Sequence, residues 1–388
     1  MDCFITDYCL ERRPGAQSAI LEDSIMHKGR PVAAGSKVFG NFISPLDATV
    51  VTRLESAGVT ILGKAKMDEF GLSGLFAGSN AEVPGAVSAV AGGIADFALC
   101  NDYSGAVRQN ASERGVCYIH PTYGTVSRFG LIPAAPSMDQ IGVVCKTPAD
   151  GFRVLSIIAG NDPNDGAMFP DDGQGRVKSE KLKVESERGA DKMGIGGDRR
   201  LRVGVPDNVS ALVRDDSYVD EFAKAFEIVC FDLKYFKVYA QVMQILCCAE
   251  ISSNITRYDG IKFGFRAEGY RDLRELYTRS RTEALGFDAK LAAIVGAMVV
   301  SQGKYEMYYD KAMRLRRLIM ESLKFDKYDV ILMPVPDAGS ASALAFHALP
   351  QLCGLPAATV PFSGGGITLI AAAKQENTLY EALEAVGV

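Results

Sequence analysis

The side chains that most often bind metals or act as nucleophiles, those of cysteine and histidine, are sparse and irregularly spaced in this chain. Its nine cysteines include one adjacent pair, Cys247 and Cys248, but no two have the two-residue separation typical of zinc and redox sites. Only three histidines are present. We therefore expect no metal site and no cofactor, and we expect the cysteines to be reduced thiols that serve mainly as small buried apolar side chains.

Composition limits the classes of function. Of the 388 residues 48% are hydrophobic and 23% are charged, as in globular domains. A net charge of -5 does not favour direct nucleic-acid binding, which needs concentrated lysine and arginine. This does not exclude that the chain belongs to an assembly that contains RNA. The apolar run Leu291 to Val300 is too short to span a bilayer, so we predict no membrane insertion. The first residues show no signal-peptide core.

Short β-rich runs alternate with helical segments, which predicts an α/β fold. Ala48 to Ala57 has the pattern of an amphipathic helix, Gly58 is placed to end it, and Val59 to Leu62 follows as a buried strand. Similar apolar runs predict four more strands, at Arg202 to Pro206, Asp329 to Met333, Ala358 to Pro361 and Ile367 to Ala371.

Two longer segments have distinct compositions. Lys304 to Phe325 is strongly helical in composition, and Tyr308, Met313, Leu315 and Leu318 are expected to lie partly on one core-facing side. Interleaved arginines would form its solvated face: Arg314, Arg316 and Arg317. Pro170 to Arg200 is rich in Asp, Gly, Lys and Glu without periodicity, which predicts a flexible surface loop inside a single domain that covers residues 1–388.

Several colinear segments form a family pattern that runs through most of the chain. They are Asp47–Val51, Ile61–Phe70, Asp102–Gln109, Pro121–Leu131, Ser137–Gly142, Ala249–Asn254, Arg257–Gly260, Tyr308–Ala312 and Arg316–Ile319. These segments resemble those of the amidase signature family, and most of all its branch of glutamyl-tRNA(Gln) amidotransferase A subunits. The resemblance implies the amidase-signature fold, a mixed central β-sheet covered by helices on both faces.

In that family, amide hydrolysis or transfer uses a serine nucleophile, a bridging serine and a lysine base. A serine hydroxyl is a weak nucleophile, so a nearby base must take its proton during attack. Backbone N–H groups of the glycine-rich turn before the nucleophile stabilise the oxyanion that develops. The resemblance allows each of these parts to be sought in this chain.

None of the three family residues is present at the position that the resemblance assigns to it. Ala106 stands where the nucleophilic serine is expected, and Glu22 stands where the base lysine is expected. The bridging serine is lost near Glu82, because the glycine- and serine-rich loop that contains it is mostly deleted, and Ser88 falls in the helix that follows. We therefore assign no catalytic residue, and we interpret Glu22 as a loop carboxylate without a catalytic role.

Other parts of the family site are altered, or are present without the residues that act with them in the family. The vestigial oxyanion and substrate region consists of Asp102, Tyr103, Ser104, Gly105 and Arg316. In the family, an arginine at the position of Arg316 binds the carboxylate of glutamine, and an aspartate binds its amino group. The position of that aspartate falls near Leu344 in this chain, so the acidic residue is absent. One retained arginine does not make a glutamine site, so Arg316 is also interpreted as a surface or helix-packing charge.

Three functions from different classes follow from these observations. The leading hypothesis is a catalytically inactive amidase-like protein that serves as a structural subunit with protein partners in a larger assembly, without a small-molecule substrate. Family ancestry suggests a mitochondrial location, with the cytoplasm as the alternative. The second hypothesis is an active amidase, or a glutaminase subunit of a tRNA-dependent amidotransferase, with an unusual nucleophile such as Ser104 or Cys100. The third is a sensor that binds a small molecule in the old cleft without turnover.

Overall fold

The structure is a computed structural model that describes residues 3–10, 15–76, 83–169, 200–213, 217–337, 340, 342–362 and 365–388. Eleven strands are formed by these residues, and nearly all are buried apolar runs, as in sheets covered on both faces. The strands are β1 (Phe4–Asp7), β2 (Ser18–Glu22), β3 (Thr60–Ala65), β4 (Phe97–Asn101), β5 (Cys117–His120), β6 (Ile141–Cys145), β7 (Arg202–Pro206), β8 (Glu227–Phe231), β9 (Val330–Pro334), β10 (Ala357–Phe362) and β11 (Gly365–Ala371).

All eleven strands belong to one mixed sheet. Their order is β1-β3-β2-β4-β6-β5-β10-β11-β9-β7-β8. β3, β2 and β4 run parallel to one another, as do β9, β7 and β8, while the pairs between these groups are antiparallel. The parallel order of β3, β2 and β4 matters for the site, because it brings the carboxyl ends of these strands to one edge of the sheet.

Twelve α-helices are formed by the described residues, and they cover the sheet. They are α1 (Thr49–Ser56), α2 (Gly85–Ala91), α3 (Ala106–Glu113), α4 (Pro148–Ile158), α5 (Asp207–Ser210), α6 (Ser217–Ala225), α7 (Tyr239–Ile255), α8 (Leu273–Ala284), α9 (Phe287–Val299), α10 (Tyr309–Ser322), α11 (Ala343–Cys353) and α12 (Glu376–Ala385). The predicted first helix and the five predicted strands all occur, and their ends lie within three residues of the predicted bounds. Gly58 follows α1 with a φ of 81°, the left-handed conformation expected where a helix ends.

The core lies on both faces of the sheet. Alternate residues of β9 show this directly, because Ile331 and Met333 join the cluster that contains α7 and α9, whereas Val330 and Leu332 join the cluster that contains α1, α4 and α12. A third cluster packs α2 and α3 against β2, β4 and β6. The predicted α/β architecture, a mixed sheet with helices on both faces, is therefore confirmed.

The predicted helix from Lys304 to Phe325 is wrong in its start and in its buried face. Residues 302–308 form turns, and the helix α10 begins only at Tyr309. Ala312 and Ile319 are its buried residues, whereas Met313 and Leu318 are exposed. Long aliphatic side chains occur on both sides of this helix, so their spacing did not identify the inner face. Of the predicted loop from Pro170 to Arg200, all residues except Arg200 lie outside the described ranges.

The cysteines agree with the sequence interpretation. All nine are free thiols, and six of them are buried.

Within the described ranges no helix is long and apolar enough to cross a membrane, and the apolar run after Leu291 belongs to α9, which has 13 residues.

The helix α9 lies directly against α7 because one glycine permits close approach. A Cβ placed on Gly296 would lie 2.0 Å from the backbone oxygen of Cys248 and 2.4 Å from the Cβ of Ser252. Ala289, Ala292 and Gly296 form the small-residue face that packs on α7. The contact between these two helices therefore depends on the absence of a side chain at position 296.

We expect Gly296→Ala to destabilise the protein by about 1 to 3 kcal/mol, because the added methyl group meets a helix backbone that cannot move aside. This loss outweighs the gain in helix propensity that alanine normally brings. Chemical denaturation followed by circular dichroism measures the change. Ala297→Val, on the exposed side of the same turn, is the control and should cost less than about 1 kcal/mol. Equal unfolding midpoints for Gly296→Ala and wild type would contradict the close approach.

Candidate functional site

The carboxyl end of β4 leads into the turn that should carry the chemistry. β4 ends at Asn101, residues 102–105 form a buried turn, and α3 begins at Ala106. Gly105 has a φ of 89°, and a Cβ there would lie 2.3 Å from the Cβ of His347. Both the left-handed backbone and the packing against α11 require glycine at this position.

Asp102 determines the geometry of this turn. Its carboxylate accepts hydrogen bonds from the backbone N–H groups of Gly105 at 2.9 Å and Val107 at 3.1 Å. Arg108 donates to the same carboxylate from its backbone N–H at 3.0 Å and from Nε at 2.9 Å. Anions are favoured at helix N-termini, so this carboxylate stabilises the start of α3. The N–H of Gly105 is thus already engaged within the turn.

The two candidate nucleophile positions, Ser104 and Ala106, lie side by side but have different surroundings. The Ser104 hydroxyl is buried and donates to the backbone oxygen of Ser73 at 2.7 Å. A Cβ placed on Gly74 would lie 3.3 Å from both the Cβ of Ala106 and the Oγ of Ser104. The methyl group of Ala106 thus borders a confined space, and the nearby hydroxyl points to a carbonyl oxygen that cannot accept its proton in a reaction.

Glu22 lies at the end of β2, so its interpretation as a loop carboxylate is wrong about its position. Its side chain is buried, and its Oε2 accepts hydrogen bonds from Ser24 Oγ at 2.5 Å and from the N–H of Asn101 at 3.0 Å. Burial raises the pKa of Glu22 to about 8, although both hydrogen bonds act in the opposite direction. At neutral pH the protonated carboxyl is therefore the favoured form.

Lys64 is a buried amine on the neighbouring strand that the sequence analysis missed. It pairs in register with Leu21 in β2, next to Glu22, and its Nζ has no hydrogen-bond partner among the described residues. Burial lowers the pKa of Lys64 to about 7, against the attraction of Asp23 and Glu22. Burial also raises the pKa of Asp23 to about 6. A lysine inside the apolar run Thr60–Ala65 was the signal for this group.

His347 is the second group that the sequence analysis missed. It lies on α11 against Gly105, and its Nε2 is 2.7 Å from the Oε1 of Gln109. The Nε2 of Gln109 donates to the backbone oxygen of Pro336, so its Oε1 is the acceptor and His347 the donor. Burial, followed by the charge of Arg108, lowers the pKa of His347 to about 3. The imidazole is therefore neutral and occupies the space beside the turn.

Arg316 does not join the turn at residues 102–105 but packs α10 against α11 and a loop. Its Nε donates to the backbone oxygen of Leu352 at 2.7 Å, and its two terminal nitrogens donate to the Oγ and the backbone oxygen of Ser137. The helix-packing interpretation of this arginine agrees with these contacts. Leu344 is buried in the core, and Glu82 lies outside the described residues.

Comparison with known proteins identifies the family of the chain. The family model described as Amidase matches residues 19–80 and 84–359. The chain belongs to the amidase family. The gap in this match falls at residues 81–83, beside the place where the resemblance indicates that the glycine- and serine-rich loop is deleted.

Individual relatives agree with this family. The A subunit of glutamyl-tRNA(Gln) amidotransferase from Acinetobacter baumannii strain AYE is 36% identical over 339 residues, which cover 81% of this chain and 66% of the relative. The crystal structure of the corresponding A subunit from Thermotoga maritima has a TM-score of 0.70 at 25% identity, covering 98% of this chain and 87% of that chain. The peptide amidase of Stenotrophomonas maltophilia shares the fold, with a TM-score of 0.71, 21% identity, and 95% and 82% coverage of the two chains.

The raised pKa of Glu22 leads to a prediction about stability and pH. The native state keeps this proton up to about pH 8, whereas the unfolded chain releases it near pH 4.5, so wild-type stability falls as the pH rises between these values. A glutamine side chain is uncharged, has the shape of a protonated glutamate and keeps its acceptor oxygen. We therefore expect the free energy of unfolding of Glu22→Gln to rise by about 2 to 4 kcal/mol relative to that of wild type as the pH increases from 5 to 8.5.

Urea unfolding at a series of pH values measures this difference. Glu227→Gln, on the exposed first residue of β8, is the matched control and should show no such trend. If the difference in free energy of unfolding between wild type and Glu22→Gln stays constant across the same range, then Glu22 is ionised in the folded protein at neutral pH.

Proposed function

We propose that this chain is an amidase-family protein without the family's acyl-transfer activity, and that it acts as a structural subunit bound to other proteins. The observation that carries the proposal is the methyl group of Ala106 at the start of α3. The family resemblance assigns the nucleophile to this position, and a methyl group has no lone pair with which to attack a carbonyl carbon.

The surroundings of Ala106 support the same conclusion. The residue at the base position, Glu22, favours its protonated form at neutral pH and so is a poor proton acceptor. The Gly105 N–H that could face a developing oxyanion already donates to Asp102. His347 packs so closely against Gly105 that a Cβ at position 105 would lie 2.3 Å from its own Cβ. An acyl-transfer site needs a nucleophile, a base and free donors together.

The role as a subunit rests on the relatives. The chain spans 66% of the length of the Acinetobacter baumannii protein, and that protein is by name one component of an amidotransferase. The proposal extends this role, as one component among several, to the present chain. We therefore include protein partners in the proposal, and a small-molecule substrate is not part of it.

An active enzyme is the second candidate, and the comparisons favour it over the first. The relatives are by name amidotransferase components and amidases. In this candidate the chain is an amidase, or a glutaminase subunit of a tRNA-dependent amidotransferase, with an unusual nucleophile. Ser104, two residues before Ala106, and the buried thiol of Cys100 are its candidates, although burial raises the pKa of that thiol well above its ordinary value.

The compartment is also a proposal. Family ancestry suggests mitochondria, and the cytoplasm is the alternative. Fractionation of source cells with antibodies against the chain distinguishes the two locations.

Ammonia release from glutamine and from simple amides at pH 7 tests the absence of activity. We expect no release by the purified wild-type chain, and none by Ala106→Ser, because Glu22, at the position of the family's base, favours its protonated form and cannot accept the proton of the restored hydroxyl. Peptide amidase from Stenotrophomonas maltophilia with a peptide amide serves as the positive control. Turnover by wild type that disappears in Ser104→Ala or Cys100→Ala would establish the second candidate instead.

Sizing the protein as isolated from its source tests the role as a subunit. Mild extraction followed by light scattering should give a particle heavier than the 41.7 kDa chain, with a constant ratio of chain to partner. A monomer under the same conditions would contradict this role, whatever the outcome of the activity assay.

A further inference from the structure

Two cysteines face each other across adjacent strands in the middle of the sheet. Cys117 in β5 and Cys145 in β6 are direct register partners in an antiparallel pair. Directly opposed side chains lie on the same face of a sheet, and both cysteines belong to the core cluster that contains α1, α4 and α12. The cysteines of the other described strands have different partners, since Cys100 is opposite Gly142 and Cys230 is opposite Val205.

The spacing of this pair suits a disulfide. Directly opposed residues of antiparallel strands have Cα atoms about 4.5 or 5.5 Å apart, and both separations lie within the range of about 4.4 to 6.8 Å that disulfides span. Each sulfur already contacts the backbone across the pair. The thiol of Cys145 donates to the backbone oxygen of Cys117 at 3.8 Å, and the thiol of Cys117 donates to that of Lys146, directly after β6, at 3.7 Å. The bond therefore requires mainly rotation of the two side chains.

A disulfide at this position would also carry some strain. The Cβ atoms of directly opposed residues are about 4.5 to 5.5 Å apart, whereas those of a disulfide are about 3.5 to 4.5 Å apart. The two strands must therefore approach each other locally when the bond forms. Strained disulfides are reduced more easily than relaxed ones, so the bond would be reversible wherever a reductant could reach it.

The helix α4 covers the pair and isolates it from solvent. A Cβ placed on Gly151 of α4 would lie 2.6 Å from the Sγ of Cys145, so the helix backbone lies directly against this sulfur. Cys145 is 0% exposed and Cys117 is 2% exposed. Burial raises the pKa of Cys117 to about 12 and that of Cys145 well above its ordinary value. The thiolate is the reactive form of cysteine, so the folded chain protects the pair from oxidants and reductants alike.

We propose that Cys117 and Cys145 form a cross-strand disulfide when the chain folds in the presence of a small-molecule disulfide, and that α4 then preserves the state the pair has acquired. Before α4 covers them, either thiolate attacks the S–S bond of the oxidant, which gives a mixed disulfide and one released thiolate. The second cysteine thiolate attacks the protein sulfur of the mixed disulfide and releases the other half of the oxidant. Two protein thiols become one disulfide, one oxidant disulfide becomes two thiols, and the two protons pass to the released thiolates.

The bond would mark correct pairing of β5 with β6. A shift of one residue between the strands places the two side chains on opposite faces of the sheet, so the observed register brings the sulfur atoms together and the shifted one separates them. Neither of the two candidate functions uses this pair. A disulfide between these strands would be compatible with a structural subunit and with an active enzyme.

Refolding of the full chain under defined redox conditions tests the proposal. Reduced chain in urea is diluted into buffer with an excess of glutathione disulfide, or into buffer with reduced glutathione alone. Acid then traps the thiols, which are alkylated before digestion and mass spectrometry. In the first buffer we expect most molecules to contain peptides joined through Cys117 and Cys145, and in the second we expect both cysteines to be alkylated. Circular dichroism checks refolding, and a chain that does not refold from urea is made by cell-free synthesis in the same two buffers.

Wild type that stays folded in the oxidising buffer is the control for protection by α4. After denaturation its Cys117 and Cys145 should still be alkylated, whereas the exposed Cys9 and Cys230 should carry glutathione. Among variants refolded in that buffer, Cys230→Ser should keep the cross-strand bond. Cys117→Ser should leave Cys145 as a thiol or as a mixed disulfide with glutathione.

Two kinds of result would overturn the proposal. The first is a chain folded in the oxidising buffer in which Cys117 and Cys145 remain thiols or are joined to other cysteines. The second is formation of the bond at equal rates in folded and refolding chain, because α4 would then not determine when the pair reacts.

Discussion

A buried ion pair between Asp102 and Arg108 connects the turn before α3 to other parts of the fold. The guanidinium also donates to the backbone oxygen of Asp102, contacts His120 at the end of β5, and lies 3.4 Å from the side chain of Gln351 in α11. Gln351 in turn donates to the same backbone oxygen at 2.7 Å. Removal of one charge from such a pair leaves the other uncompensated in the interior, which strongly destabilises a protein. The position of Ala106 is fixed by this network, in which its own side chain takes no part.

This separation explains how the fold can persist without the family's catalytic side chains. The turn is held by the carboxylate of Asp102 and by the glycine at position 105, and neither depends on a hydroxyl at position 106. At position 22 burial favours the neutral carboxyl, and the hydrogen bonds from Ser24 and Asn101 satisfy one of its oxygens, so a glutamate fits there without an ionised partner. The scaffold and the chemistry therefore rest on different atoms, and a change in one need not disturb the other.

The strands could be predicted because their signals are local. Val330 to Met333 is an apolar run between Asp329 and Pro334, and Ile367 to Ala371 is an apolar run that follows glycines. Each occurs in a buried strand within a few residues of its predicted bounds. The start of α10 was predicted wrongly, because residues 304–308 have the composition of a helix but form turns. Nothing local distinguishes the two outcomes, and tertiary packing decides between them.

The site was only partly predictable for the same reason. Ala106 and Glu22 could be named from their place in sequence motifs, but their environments come from distant parts of the chain. The hydrogen bond from Asn101 to Glu22 joins residues 79 positions apart, and His347 reaches Gly105 from the other end of the sequence. Burial raises the pKa of Glu22 and lowers that of His347, and a linear motif gives no measure of burial.

Lys64 is the group on which the choice between the two candidate functions depends most. Burial lowers the pKa of this amine, which is the direction that a lysine base requires. Its carboxyl neighbours are Glu22, at the position where the family has its lysine, and Asp23, so the amine lies in an acidic rather than a basic environment. Of these, Asp23 exerts the larger attraction, which favours the charged form of Lys64 and opposes the effect of burial. A base also needs a hydroxyl or thiol within reach of its lone pair, and the hydroxyl of Ser104 already donates to the backbone of Ser73. Reactivity at this site would therefore require rearrangement of the buried turn, which the Asp102–Arg108 pair resists.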